Sequence, residues 1–253
     1  MAVGNRVRDP KAGTSDLPVR FASAIVMLVL AGGALWLGGW FWTGFVALLA
    51  LGVLWEWNRL IGAFGMKGLG ETIWFFAGIV YVGGAALAML TVRNGRQVLP
   101  LDPEVSGYGP LEVLVVFIAP IVAVDVGAYF AGRAIGGPKI APRISPAKTW
   151  AGLGGGATFA ALVGVLVELT DFGPAAAPGT SAVALGMAVV TGVLIAVIAQ
   201  AGDFFESWMK RRAGVKDSGA LIPGHGGLFD RLDGFIAVFF VLFVIATLPG
   251  LLG

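Results

Sequence analysis

Hydrophobic and polar positions do not alternate along this chain; they come in blocks. Seven long apolar runs, at 20–37, 41–58, 72–92, 111–132, 151–169, 182–204 and 234–250, are separated by shorter polar segments. A run of about 20 apolar residues crosses the hydrocarbon core as a helix. A membrane barrel would show short alternating strands instead. The pattern therefore predicts an all-α, polytopic integral membrane protein with about seven transmembrane helices. The first two runs meet at Gly38-Gly39, and 20–58 is too long for one crossing. Residues 1–19 are polar with Pro, Gly and Ser, and read as a mobile cytoplasmic tail. Arg20 could close the n-region of a signal peptide, but the lead is long and no small-residue cleavage site follows. With no internal repeat, 20–253 reads as a single transmembrane domain.

Composition sharpens the class. The chain is 57% hydrophobic and 13% charged, with a mean hydropathy of +0.88. Soluble domains carry about 25% charged residues. There are no cysteines and one histidine, which excludes disulfides, thiolate chemistry and His-rich metal sites. A net charge of +2 gives no reason to expect a nucleic-acid partner. The placement of charge says more than its sum. With the N-terminus in the cytoplasm, every basic residue except Arg93 and Arg96 falls on the cytoplasmic side. The polar segments between runs four and five and between runs six and seven then share one face. They can build one site.

Three segments carry candidate chemistry. In DVGAYFAGRAIGGPKIAPRISPAKTW, 125–150, Asp125 lies within an apolar run. A carboxylate there is costly unless it works or is paired, with Arg133 or Lys148 as partners. Tyr129 and Gly132 share its helical face. Pro138, Pro142 and Pro146 forbid a regular helix through the segment that follows. A stiff, basic, irregular loop suits a nucleotide or lipid phosphate, or simply anionic headgroups. The glycines at 152–156 serve either close helix packing or a backbone that approaches phosphate. In QAGDFFESWMKRR, 200–212, Asp203, Glu206, Ser207 and Lys210 fall on one helix face. Such a face makes helix salt bridges, or it presents oxygen ligands to Mg²⁺. In KDSGALIPGHGGLFDRLDG, 216–234, Asp230 and Asp233 flank Arg231 and share a face if the last helix begins there. Pro223-Gly224 makes a turn, and the glycines of HGG allow close backbone approach. His225 is a base, a phosphate contact or a cap for backbone groups. Carboxylates, a glycine loop and basic residues together point to Mg²⁺ and a polyphosphate.

The stretch SWMKRRAGVKDSGALIPGHGGLFDRLD, 207–233, resembles the signature of phosphatidate cytidylyltransferases, the CDP-diacylglycerol synthases, throughout its length. The GR…ISP.KTW..G run and LWEWNRL, 54–60, are also similar to that family. The resemblance implies that CTP and phosphatidate give CDP-diacylglycerol and pyrophosphate. It implies Mg²⁺, with a second cation at the same site, and a membrane lipid as partner. It places the enzyme in the bacterial cytoplasmic (inner) membrane with its active site on the cytoplasmic side. It makes 20–253 a catalytic domain and implies Asp203 and Asp230 as metal ligands. Asp233 and Asp125 are the next candidates. Asp203, Asp230, Asp233, Lys210 and His225 form the implied catalytic set. Asp125, Arg133, Lys148, Ser207, Arg211, Lys216 and Arg231 are the implied substrate contacts. A homodimer is expected, and eight or nine spans where this chain shows seven. Two other readings stay open: a cation-coupled transporter using Asp125 and Asp203, and a CTP-dependent enzyme acting on a polyprenol or archaeol-type lipid.

Overall fold

The computed structural model describes residues 16–94, 110–169 and 181–252. Seven helices in them are long and apolar enough to cross a membrane. They are α1 (Asp16–Leu37), α2 (Gly39–Gly62), α3 (Leu69–Arg93), α4 (Pro110–Ala134), α5 (Trp150–Leu169), α6 (Ala182–Arg212) and α7 (Phe229–Leu252). Each expected span has its helix. The expected tail lies mostly outside the described residues, and α1 begins four residues earlier than the apolar run.

Gly38 and Gly39 break α1 from α2 with φ of 63° and 50°, a left-handed backbone that glycine adopts without strain. Arg93, at the end of α3, donates from Nε and Nη2 to the Leu35 carbonyl at 3.2 Å each. It thereby caps the C-terminal end of α1, where carbonyls lack intrahelical partners.

The buried core is contributed mainly by α2, α3, α4, α6 and α7. Trp57 stands at its centre, with the rings of Trp74, Tyr81, Phe205 and Phe229 about 6 Å away. Its indole N–H donates to the Trp74 carbonyl at 2.9 Å, so the polar tip is satisfied in an apolar setting. On the other side, α5 packs on α4 backbone to backbone. A Cβ on Gly155 would lie 2.7 Å from the Gly127 carbonyl oxygen, and one on Gly156 2.9 Å from that of Val124. Close packing is therefore what these glycines provide.

The proline-rich segment after α4 is more regular than its sequence predicts. Strands β1 (Lys139–Ala141) and β2 (Ser145–Thr149) form an antiparallel hairpin. A two-stranded ribbon has only edge strands, and edges tolerate proline. Thr149 ends the hairpin by capping α5, its hydroxyl accepting the Gly152 N–H at 3.0 Å. The 31 residues of α6 span about 46 Å, against a hydrocarbon core of about 30 Å. The C-terminal turns of α6 therefore project beyond the bilayer core. The hairpin docks on them, with Arg211 Nε donating to the Ile144 carbonyl at 3.3 Å.

Candidate functional site

Two charged clusters lie at this end of the bundle. The first surrounds a small cavity between α4, α6 and α7. It is lined by Asp125 of α4, Lys148 of the hairpin, Gln200 and Asp203 of α6, and Arg231 and Asp233 of α7. Its volume is about 20 Å³, room for one water- or ion-sized occupant. Lys148 Nζ forms an ion pair with Asp203 Oδ2. The other oxygen of Asp203 accepts the Ser207 hydroxyl at 3.4 Å, one turn along α6. The side-chain nitrogen of Gln200 is buried and has no protein partner, a donor available to an oxygen-rich occupant.

The second cluster joins α6, α7 and the loop between them. Lys210 Nζ sits 2.6 Å from both Glu206 Oε2 and Asp230 Oδ1. Asp230 Oδ2 accepts the Ser218 amide at 2.9 Å, the Ser218 hydroxyl at 2.9 Å and the Gly227 amide at 2.8 Å. The Ser218 hydroxyl also lies 2.9 Å from Glu56 Oε2. Glu56 is fully buried in α2. It accepts the amides of Leu228 at 3.0 Å and Phe229 at 2.8 Å. These are the unpaired donors at the start of α7, and a negative charge there is favoured by the helix dipole. The cap lets α7 begin at Phe229, five residues before the apolar run.

The sequence candidates thus divide. Asp125, Lys148, Asp203, Arg231 and Asp233 share one cavity. Lys210 and Asp230 share the second cluster, and Ser207, on the same α6 face, bonds back to Asp203. Although Asp230 and Asp233 are one turn apart, they belong to different clusters. Arg211 anchors the hairpin, and Lys216 is exposed. Arg133 Nη1 lies 3.1 Å from the Tyr129 hydroxyl, leaving Lys148 rather than Arg133 in the Asp125 cavity. His225 pairs through Nδ1 with Ser23 of α1 at 2.8 Å. Its carbonyl accepts Arg231 Nη2 at 2.8 Å, which fixes the arginine beside the cavity. Among the described residues, no three carboxylate or imidazole side chains are grouped to hold a metal by themselves.

The sequence model of the Cytidylyltransferase family matches residues 102–248, which include both clusters apart from Glu56. The chain belongs to the cytidylyltransferase family. It is 34% identical to the phosphatidate cytidylyltransferase of Brucella suis, covering 92% of this chain and 94% of that protein. It is 31% identical to that of Pseudomonas aeruginosa, covering 87% and 93%. A more local match, 40% identical, covers 51% of this chain and 43% of the Haemophilus influenzae phosphatidate cytidylyltransferase.

Sequence reasoning missed Glu56 and Ser218 in this cytidylyltransferase. Both lay inside quoted segments. The available signal was a glutamate in the otherwise apolar run 41–58, which demands donors wherever the fold brings them.

Proposed function

We propose that this protein is a CTP:phosphatidate cytidylyltransferase that uses Mg²⁺ at the cytoplasmic face of the bacterial inner membrane. The observation that carries the reading is the convergence of Asp125, Asp203, Asp233, Lys148 and Arg231 on one ion-sized cavity, with the second cluster around Lys210 two turns further along α6. The activity named for the Brucella and Pseudomonas relatives supports the substrate pair.

In this reading, an oxygen of the lipid phosphate attacks the α-phosphorus of CTP. A new P–O bond forms, the α–β phosphoanhydride bond breaks, and pyrophosphate leaves. The protein's task is to hold two anions together and offset their charge in the transition state. Lys148 and Arg231 line the cavity itself. Lys210 is held by two carboxylates at 2.6 Å, and these keep it oriented for a phosphate. Arg211 and Lys216 stand further out, where a triphosphate enters from water. The basic residues that crowd this end of the bundle support the cytoplasmic placement.

Mg²⁺ takes one or two carboxylates and fills its other positions with water and phosphate oxygens. The donor set fits that pattern, since oxygen ligands surround an ion-sized space. Asp203 would hold the ion, with Asp125 and Asp233 beside it; Asp230, the other ligand the resemblance implies, is engaged by Lys210, Ser218 and Gly227 in the second cluster. When bound, Mg²⁺ supplies charge neutralisation on the transferring phosphoryl group.

The test is a product assay in mixed micelles of detergent and phosphatidate with Mg²⁺ and labelled CTP. Labelled CDP-diacylglycerol and pyrophosphate are expected, and both vanish with EDTA. Folded protein that binds CTP yet labels no phosphatidate would replace this reading with a different lipid acceptor.

A further inference from the structure

A second, much larger hollow lies on the opposite face of the α6–α7 pair. It holds about 860 Å³ and is lined by apolar side chains, among them Ile73, Ala77 and Val80 of α3, Val197 and Ala201 of α6, and Val241 of α7. It shares no residue with the carboxylate cavity. On α6 the two hollows alternate around the helix: 197, 198, 201, 202 and 205 line this one, while 199, 200 and 203 line the other. Between them the helices touch at Gly202, where a Cβ would lie 2.6 Å from the Asp233 carbonyl. The groove opens outward, and Ile73, Phe76, Val80 and Val197 at its rim are half exposed or more.

One end of this groove carries a fixed cation. Trp74 and Phe205 line the groove, and Trp208 packs on both, with ring centroids 5.8 and 6.2 Å away. Arg212, one turn further along α6, lies 5.7 Å from the Trp208 ring and 5.1 Å from that of Phe64. Cation–π stacking holds the guanidinium in place without neutralising it. Among the described residues, Arg212 has no ion-pair partner within reach, and it is exposed. It belongs to the turns of α6 that project beyond the hydrocarbon core, at the depth of lipid headgroups.

We propose that the groove and Arg212 form a binding site for one acidic phospholipid of the surrounding bilayer, its acyl chain in the groove and its phosphate on Arg212. A convex helix face gives a passing lipid no register. A concave apolar channel ending in an unpaired cation fixes both ends of one molecule, and basic pockets between membrane helices bind headgroups in this way. The inference stands apart from the catalytic reading, because none of its residues lines the carboxylate cavity.

Native mass spectrometry of the delipidated full-length chain tests it, using dioleoylphosphatidylglycerol and dioleoylphosphatidylcholine as probes. The first is a phosphodiester, so it cannot serve as acceptor in the proposed transfer. One phosphatidylglycerol should be retained, about tenfold more than phosphatidylcholine. Arg212→Gln should abolish that preference. Ala201→Trp and Ala77→Phe, at exposed positions that point into the groove, should lower retention of both lipids. Asp203→Asn should leave retention unchanged. Equal retention of the two lipids by the wild-type chain, or an unaltered preference in Arg212→Gln, would overturn the proposal. So would loss of the lipid in Asp203→Asn, which would move it to the carboxylate cavity. Disulfide formation between two copies carrying Ala77→Cys, in a chain otherwise free of cysteine, would assign the groove to a second copy instead.

Discussion

Glu56 and Phe229 are 173 positions apart, yet the Phe229 amide donates to the Glu56 carboxylate at 2.8 Å. With Leu228 and Ser218 on the same carboxylate, Glu56 joins the middle of α2 to the start of α7 and to the loop that holds Asp230. Glu56→Gln keeps one acceptor but places an amide N–H₂ against these donors. The cost is about 3 kcal/mol. The apparent melting temperature in detergent, followed by tryptophan fluorescence, should fall by several degrees. Ser218→Ala, which removes the single hydroxyl donor shared by two carboxylates, should cost less. An unchanged melt for Glu56→Gln would mean that α7 is not held there.

How far the sequence reveals this arrangement depends on the range of each interaction. Seven helices follow from seven apolar runs, because spanning a bilayer depends on local composition. The ends of α6 and α7 do not follow. The run 182–204 ends just after Asp203, yet the helix continues to Arg212 because its polar turns pair along the helix, as Lys210 does with Glu206. The first turn of α7 depends on Glu56, which no window of sequence around residue 229 contains. The hairpin at 139–149 was hidden by prolines that only an edge strand accepts. Apart from Glu56, the carboxylates, lysines and arginines of the site were legible as residues. Their division into two clusters was not, since it depends on how α4, α6 and α7 rotate against one another.

Asp230→Asn separates the structural and chemical parts of the second cluster. Its remaining carbonyl oxygen can still accept from Ser218 and Gly227, and Lys210 keeps Glu206. The protein should therefore remain folded in detergent while cytidylyl transfer falls by about a hundredfold or more. Near-normal turnover would remove Asp230 from the chemistry.

Lys148 is the cation closest to Asp203, and the pair is about a quarter exposed. Lys148→Met removes positive charge from the cavity without deleting a metal ligand. Steady-state assays should show a KM for CTP raised about tenfold or more, because the lost contact is to an anion. Stability should change little, since partly solvated ion pairs contribute about 1 kcal/mol or less. A normal KM would place the triphosphate elsewhere.

Gly155→Leu tests the α4–α5 contact. Even a Cβ at this position meets the Ala131 side chain and the Gly127 carbonyl, and backbone cannot yield as a flexible side chain can. The substitution should cost about 3 kcal/mol and lower the yield of folded protein. Gly154→Leu, where a Cβ meets nothing within 4 Å, is the matched control and should express normally. Equal yields for the two would contradict the close approach of α4 and α5.

The central claim is that the cavity bounded by Asp125, Asp203 and Asp233 is where cytidylyl transfer occurs. Phosphatidate-dependent pyrophosphate release by Asp203→Asn, beside wild-type protein of matched melting temperature, tests it most directly. The account predicts that release falls by about a hundredfold or more and that raised Mg²⁺ restores part of it. Release at the wild-type rate from a folded Asp203→Asn protein would contradict the claim and place the chemistry outside this cavity.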